Sequence, residues 1–211
     1  MLDFTKSDLK YNGTYRGLVM NNDDPLKQGR VQVKIYPMFD GIDTEYIPWS
    51  VPAMSLFDGA GNGFGCLSVP KEGSFVFTFF ENGDVYQPVY FAEAQTKTYG
   101  IPSESATNYP NRKVWKTENG IRIVIDDTED SEFVLVEHPI GSYIKIDALG
   151  VVTVAATAGL VISAGTGAVI NSVGDLAMTS LGTLTLTSTG KATITSSGEV
   201  DIIGSAVNIN P

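Results

Sequence analysis

The chain of 211 residues carries 24 Asp and Glu against 14 Lys and Arg, for a formal net charge of −10, and holds one Cys. That balance disfavours binding to nucleic-acid phosphates or anionic lipid surfaces, and no apolar run approaches the length of a membrane span. The lone Cys66 excludes an intrachain disulfide and suits assembly in a reducing cytoplasm, and Met1-Leu2-Asp3-Phe4 lacks the pattern of a signal peptide, so none is expected.

From Thr14 to Glu93 the chain reads as a compact all-β domain. Thr14 to Met20 forms a strand, Asn21-Asn22-Asp23-Asp24-Pro25 a turn, and Arg30-Val31-Gln32-Val33-Lys34-Ile35 alternates as a half-buried strand does. Ile47-Pro48-Trp49 leads to a Gly-rich loop, Gly59 to Gly65. Ser74 to Phe80 is then a buried strand, turned back by Glu81-Asn82-Gly83-Asp84 into Val85 to Phe91. Five or six strands in about 80 residues suggest a small closed barrel of the OB type. Gln95 to Lys113 is polar, carries Pro102 and Pro110, and reads as a linker or as an arm lying on another surface.

Strand pattern returns from Val114 to Asp147. Ile121, Ile123 and Ile125 alternate, the acidic stretch Asp126 to Glu132 turns the chain, and Phe133 to Val136 follows. This segment reads as a β collar. The expected division is a barrel over 1–94, a linker over 95–113, the collar over 114–148 and a repetitive region over 149–211.

Residues 142 to 205 repeat every eight positions, with small anchors at Ser142, Gly150, Ala158, Thr166, Gly174, Gly182, Gly190 and Gly198. Two and four positions beyond each anchor stand apolar residues, and six beyond stand small ones. An even period keeps these side chains on one face, whereas a helical period of 3.6 loses register. The segment is therefore a β-solenoid or an intertwined β-helix. Two sizeable apolar residues per repeat supply one wall of a narrow prism, so three intertwined chains are expected rather than a single-chain solenoid. Roughly 1.5–3 kcal/mol per buried aliphatic side chain favours that closure. The trimer core is assigned to Ile144, Ile146, Val152, Val154, Leu160, Ile162, Ile170, Leu176, Met178, Leu184, Leu186, Ile194, Val200 and Ile202. At one level per repeat the eight repeats would form a rod of roughly 40 Å.

The ordered motifs resemble the central spike proteins of contractile phage tails. Asn22-Asp23-Asp24-Pro25-Leu26-Lys27-Gln28-Gly29-Arg30-Val31-Gln32-Val33 is similar to the first hairpin of their OB domain. Pro48-Trp49, Pro70-Lys71-Glu72-Gly73-Ser74-Phe75-Val76 and Gly83-Asp84-Val85-Tyr86-Gln87-Pro88-Val89 follow in the family's order. Gly120 to Gly150 with the octads also resembles the valine-glycine repeat spikes of type VI secretion. The resemblance implies an all-β homotrimer: an OB barrel that attaches to a baseplate hub protein, then an intertwined triple-stranded β-helix. It implies a virion component of the tail baseplate, assembled in the host cytoplasm, that is driven through the target envelope membrane when a sheath contracts. Two departures matter. No lysozyme-like segment separates barrel and rod, and the rod lacks the His-x-His iron-binding apex of many short spikes. A separate cap protein of the Pro-Ala-Ala-Arg kind is therefore expected at Val207, Asn208, Ile209, Asn210 and Pro211.

Other candidate sites read as structural. His138 lacks a Cys or second His to share a metal, so a turn residue is expected; Cys66 reads as a small buried hydrophobe. Gly59 to Gly65 lacks the spacing of a nucleotide loop and reads as a flexible barrel loop. Asp126, Asp127, Glu129, Asp130 and Glu132 lack Ca²⁺-loop spacing and read as a solvated turn. Phe75, Phe77, Phe79 and Phe80 read as core rather than as a base-stacking face. No catalytic residue, cofactor or metal is expected, and the function expected is a non-enzymatic puncturing spike. The competing functions are a carbohydrate-active β-helix tailspike, for which the acidic residues Asp175, Glu199 and Asp201 are sparse material, and an OB nucleic-acid binder, which the charge opposes.

Overall fold

The computed structural model describes residues 11–54, 63–97 and 100–208. By compactness the chain divides into two units, Met1–Leu160 and Val161–Pro211.

The first unit begins with a closed five-stranded barrel. Its strands are β1 (Thr14–Asn21), β2 (Val31–Ile35), β3 (Trp49–Pro52), β4 (Phe75–Phe80) and β5 (Pro88–Glu93), in the order β1-β2-β3-β5-β4. Every pairing is antiparallel except β3 with β5. Alternation sends Val19, Val31, Val33, Ile35, Val76 and Phe80 inward, where Phe39, Ile47 and Tyr90 complete the core. Gly17 sits where β1 serves two neighbours, opposite Ile35 on β2 and Val76 on β4. A Cβ there would stand 2.3 Å from Val33 Cγ1, so no side chain fits without moving the β2 wall.

The β1–β2 connection is organised by one carboxylate. Asp24, 5% exposed, accepts hydrogen bonds at Oδ1 from Leu26 N (2.9 Å) and Arg30 Nη2 (2.7 Å). Its Oδ2 accepts from Gln28 N (2.8 Å) and Arg30 N (3.2 Å). The Arg30 guanidinium and these backbone donors hold the Asp24 carboxyl well below the usual carboxylate range. The same guanidinium lies 5.5 Å from the Trp49 ring centroid, tying the loop to β3. Gly29 takes the left-handed conformation (φ 78°), and its carbonyl accepts from the buried Tyr90 hydroxyl at 2.6 Å. Burial of that phenol pushes its pKa up to about 12.

Sheet β4 differs from its sequence reading. Val76, Thr78 and Phe80 face inward, whereas Phe75, Phe77 and Phe79 are half-buried on the outer face, where Phe77 and Phe79 lie 6.1 and 6.0 Å from Phe91. Of the four phenylalanines expected in the core, only Phe80 is there.

A second sheet follows: β6 (Arg112–Lys116), β7 (Arg122–Asp126), β8 (Phe133–Glu137), β9 (Tyr143–Ile146) and β10 (Val152–Ala155) form an antiparallel meander in the order β10-β9-β8-β7-β6. The first two octads are thus paired within the chain as β9 and β10. Ahead of the meander, the 3-10 turn Ser103–Ala106 lies on the sheet through Glu104, whose Oε1 accepts from Lys116 Nζ (2.6 Å) and Arg122 Nη1 (3.0 Å).

The described residues of the second unit form no strand, and all are exposed. The eight-residue period is nonetheless visible in its corners: Gly182, Gly190 and Gly198 each donate their N–H to the hydroxyl two residues earlier, Ser180, Ser188 and Ser196, at 3.1–3.3 Å. These small residues at offsets six and zero make the same local turn in successive repeats.

Substituting Gly17→Ala is expected to destabilise the barrel by about 1–3 kcal/mol, the usual cost of forcing bulk into a packed core. Urea unfolding followed by circular dichroism checks it; an unchanged midpoint contradicts the packing described.

Candidate assembly interface

The second sheet has two unlike faces, and its register fixes which residue lies on each. Directly opposed residues in an antiparallel pair share a face. On one face Arg112, Asp126 and Phe133 are successive partners, as are Lys116, Arg122, Glu137 and Tyr143. This face is charged and cross-linked. Asp126, 2% exposed, accepts from Arg112 Nε (2.7 Å), Asn108 Nδ2 (3.0 Å) and the Thr128 hydroxyl (2.6 Å). Arg122 Nε donates to Glu137 Oε2 at 2.7 Å, and the Phe133 ring lies under Arg112 and Lys145 at 5.4 and 5.1 Å.

The opposite face carries two columns. One runs Trp115, Ile123, Val136, Ile144, Val154; the other runs Lys113, Ile125, Val134, Ile146, Val152. Each of β7, β8, β9 and β10 presents two β-branched aliphatic side chains there. Seven of those eight are exposed, Val152 by 62%. Among the described residues no other strand or loop buries these seven side chains. A contiguous apolar patch of this kind on a folded protein marks an interaction surface.

Of the trimer-core residues assigned from sequence, the sheet brings Ile144, Ile146, Val152 and Val154 together on this face, and Leu160 lines a cavity beside Val136, Ile144 and Val154. Ile162, Ile170, Leu176, Met178, Leu184, Leu186, Ile194, Val200 and Ile202 lie in the second unit, each more than half exposed. Val207 and Asn208 are exposed, while Ile209, Asn210 and Pro211 lie outside the described residues. Sequence reasoning missed Ile123, Ile125, Val134 and Val136 as members of the same face. Their alternation was visible; the register joining β7 to β8 to β9 was not.

Two other expectations change, those for Asp126 and Cys66. Asp126 is no solvated acid. Burial alone would raise its pKa, but hydrogen bonds from Thr128, Arg112 and Asn108 outweigh that and hold the carboxyl well below its usual range. Asp127, Glu129, Asp130 and Glu132 are exposed. Cys66 is exposed rather than buried. His138 is exposed, its Nδ1 accepting from Ile140 N at 3.4 Å in a turn. Of the Gly-rich loop, residues 59–62 lie outside the described residues. Among the described residues no three His, Cys, Asp or Glu side chains come together as metal ligands.

Residues 15–93 match the model of the type VI secretion system/phage-baseplate injector OB domain. The match coincides with β1 to β5 and supports a structural, baseplate-associated role and a virion or tail location. No curated protein matches the chain.

The carboxylates on the charged face predict acid sensitivity. Glu104, held by Lys116 and then Arg122, is lowered to about 2, and Asp126 is lowered as well. Folded-state pKa values below the unfolded ones give stability that is complete above the ordinary carboxylate range and fades as pH falls through it. The melting temperature should therefore drop between about pH 5 and pH 2, and Glu104→Gln should flatten part of that slope. Melting curves across this range check both; a flat profile contradicts them.

Proposed function

We propose that three copies of this chain form the central spike of a contractile-tail baseplate, a non-enzymatic device that breaches a target envelope mechanically. One observation carries the reading. The bare face of the second sheet presents two β-branched side chains on each of β7 to β10, and the octads beyond it keep two apolar residues per repeat with no strand pairing among the described residues. Strand-forming sequence with unpaired backbone groups and uncovered apolar side chains is stable only when other strands supply the missing partners.

Three walls of this kind close on a common axis into a prism. Each level then buries six apolar side chains, and at roughly 1.5–3 kcal/mol per side chain the gain outweighs the entropy of bringing three chains together over many levels. The charged face, fixed by the Asp126 and Glu104 clusters, is left outside. In this reading the OB barrel seats the spike on a hub protein, and a separate cap protein binds near Val207. Three chains carry a net charge of −30, which opposes nucleic-acid binding. Thr and Ser dominate the outward positions of the octads and give a slender, nearly neutral shaft suited to sliding through an envelope.

Light scattering on the purified full chain should give three times its mass of 22.6 kDa. Leu184→Glu or Leu186→Glu should abolish assembly, because three like charges meet on a dry axis. A folded 22.6 kDa monomer sinks the proposal. The trimer should also leave purified peptidoglycan and capsular polysaccharide uncut; turnover abolished by a point mutation within this chain would show an enzyme instead.

A further inference from the structure

The two columns of the bare face are alike on four strands and differ on the fifth. β7 to β10 contribute only Ile and Val, whereas β6, the end strand next to the barrel in chain order, contributes Lys113 and Trp115. Lys113 turns to the rim, its Nζ 3.3 Å from the exposed Asp127 carboxylate. Trp115 is left as the largest apolar side chain on this face, 64% exposed, directly opposite Ile123. Its indole N–H has no partner among the described residues.

Resting on the three-chain reading above, we propose that Trp115 is the plug of the apolar column: the three indoles pack against one another over the Ile123 level and close the core at its barrel end. A prism of paired Ile and Val side chains has an open end wherever the pattern stops, and water would enter there along the axis. Ring size answers this, because a Trp buries about 150–250 Å², enough for three rings to span a gap that aliphatic side chains leave. Chemistry answers it too. An indole has an apolar body and one N–H donor, so it belongs at a boundary with the ring on the dry side and the N–H turned to water. The Lys113–Asp127 pair at the other end of β6 keeps the second column's cation off the axis, so the charge does not compete with the rings.

The test uses the full-length chain with Trp49→Phe, so that Trp115 is its one remaining tryptophan. In material that light scattering shows to be trimeric, the plug predicts a blue-shifted emission and acrylamide quenching reduced about fivefold relative to the same protein in urea. Emission and quenching like those of free indole in that trimer would overturn it. Because Trp49 stacks with Arg30 and its loss can weaken the barrel, a second arm keeps Trp49. There Trp115→p-benzoylphenylalanine is irradiated in the trimer, and covalent dimers linked to β6 or β7 of another copy are expected. Links only to barrel residues, or none, would overturn the plug while leaving the trimer standing. Monomeric material would remove both.

Discussion

Eight Ile and Val side chains stand in two columns on one face of a five-stranded sheet, and among the described residues seven of these eight are left exposed. The rest of that sheet is arranged around this face. It exists because strand alternation is strict: each residue on β7 to β10 is committed to one side by the register of its neighbours, and a slip by one position would bring Arg122, Asp126, Glu137 and Lys145 onto the apolar face. The hydrogen-bonded clusters on the opposite side fix that choice. Asp126 gathers Asn108, Arg112 and Thr128, and Glu104 gathers Lys116 and Arg122. With the charged side satisfied locally, the apolar side is the one left to seek partners.

The barrel solves a different problem with other means. It is self-sufficient, closed by the parallel pairing of β3 with β5, and has a buried core of its own. Its least regular element, the β1–β2 connection, is made rigid by a single acid: Asp24 satisfies the backbone of a loop that would otherwise expose its donors and also holds Arg30 over Trp49. On the proposed reading, a barrel closed within one chain and octads that pair with other copies fit a spike whose base docks while its shaft assembles.

Much of this was legible in the sequence where the signal is periodic. Alternation located β1, β2 and β7, and the octads disclosed the repeating apolar pair and the small corner residues, which the Ser180–Gly182, Ser188–Gly190 and Ser196–Gly198 turns bear out as local geometry. What escaped depends on contacts distant in sequence. Asp126 looks like one of five acids in a turn until Arg112 and Asn108 arrive beside it. Phe75, Phe77, Phe79 and Phe80 look alike in a run, yet pleating sends only Phe80 inward. Cys66 follows a Gly-rich loop that offers no period to say which way it points.

The central claim is that the octads are strands whose partners lie in other copies. Amide hydrogen exchange over residues 160–202, measured on the full chain at known mass, tests it most directly. Within one chain these residues form no strand. The account predicts strong protection, persisting for hours, in a species of three chains. Exchange at the rate of an unstructured peptide, in that species or in any other that the purified chain forms, would contradict it.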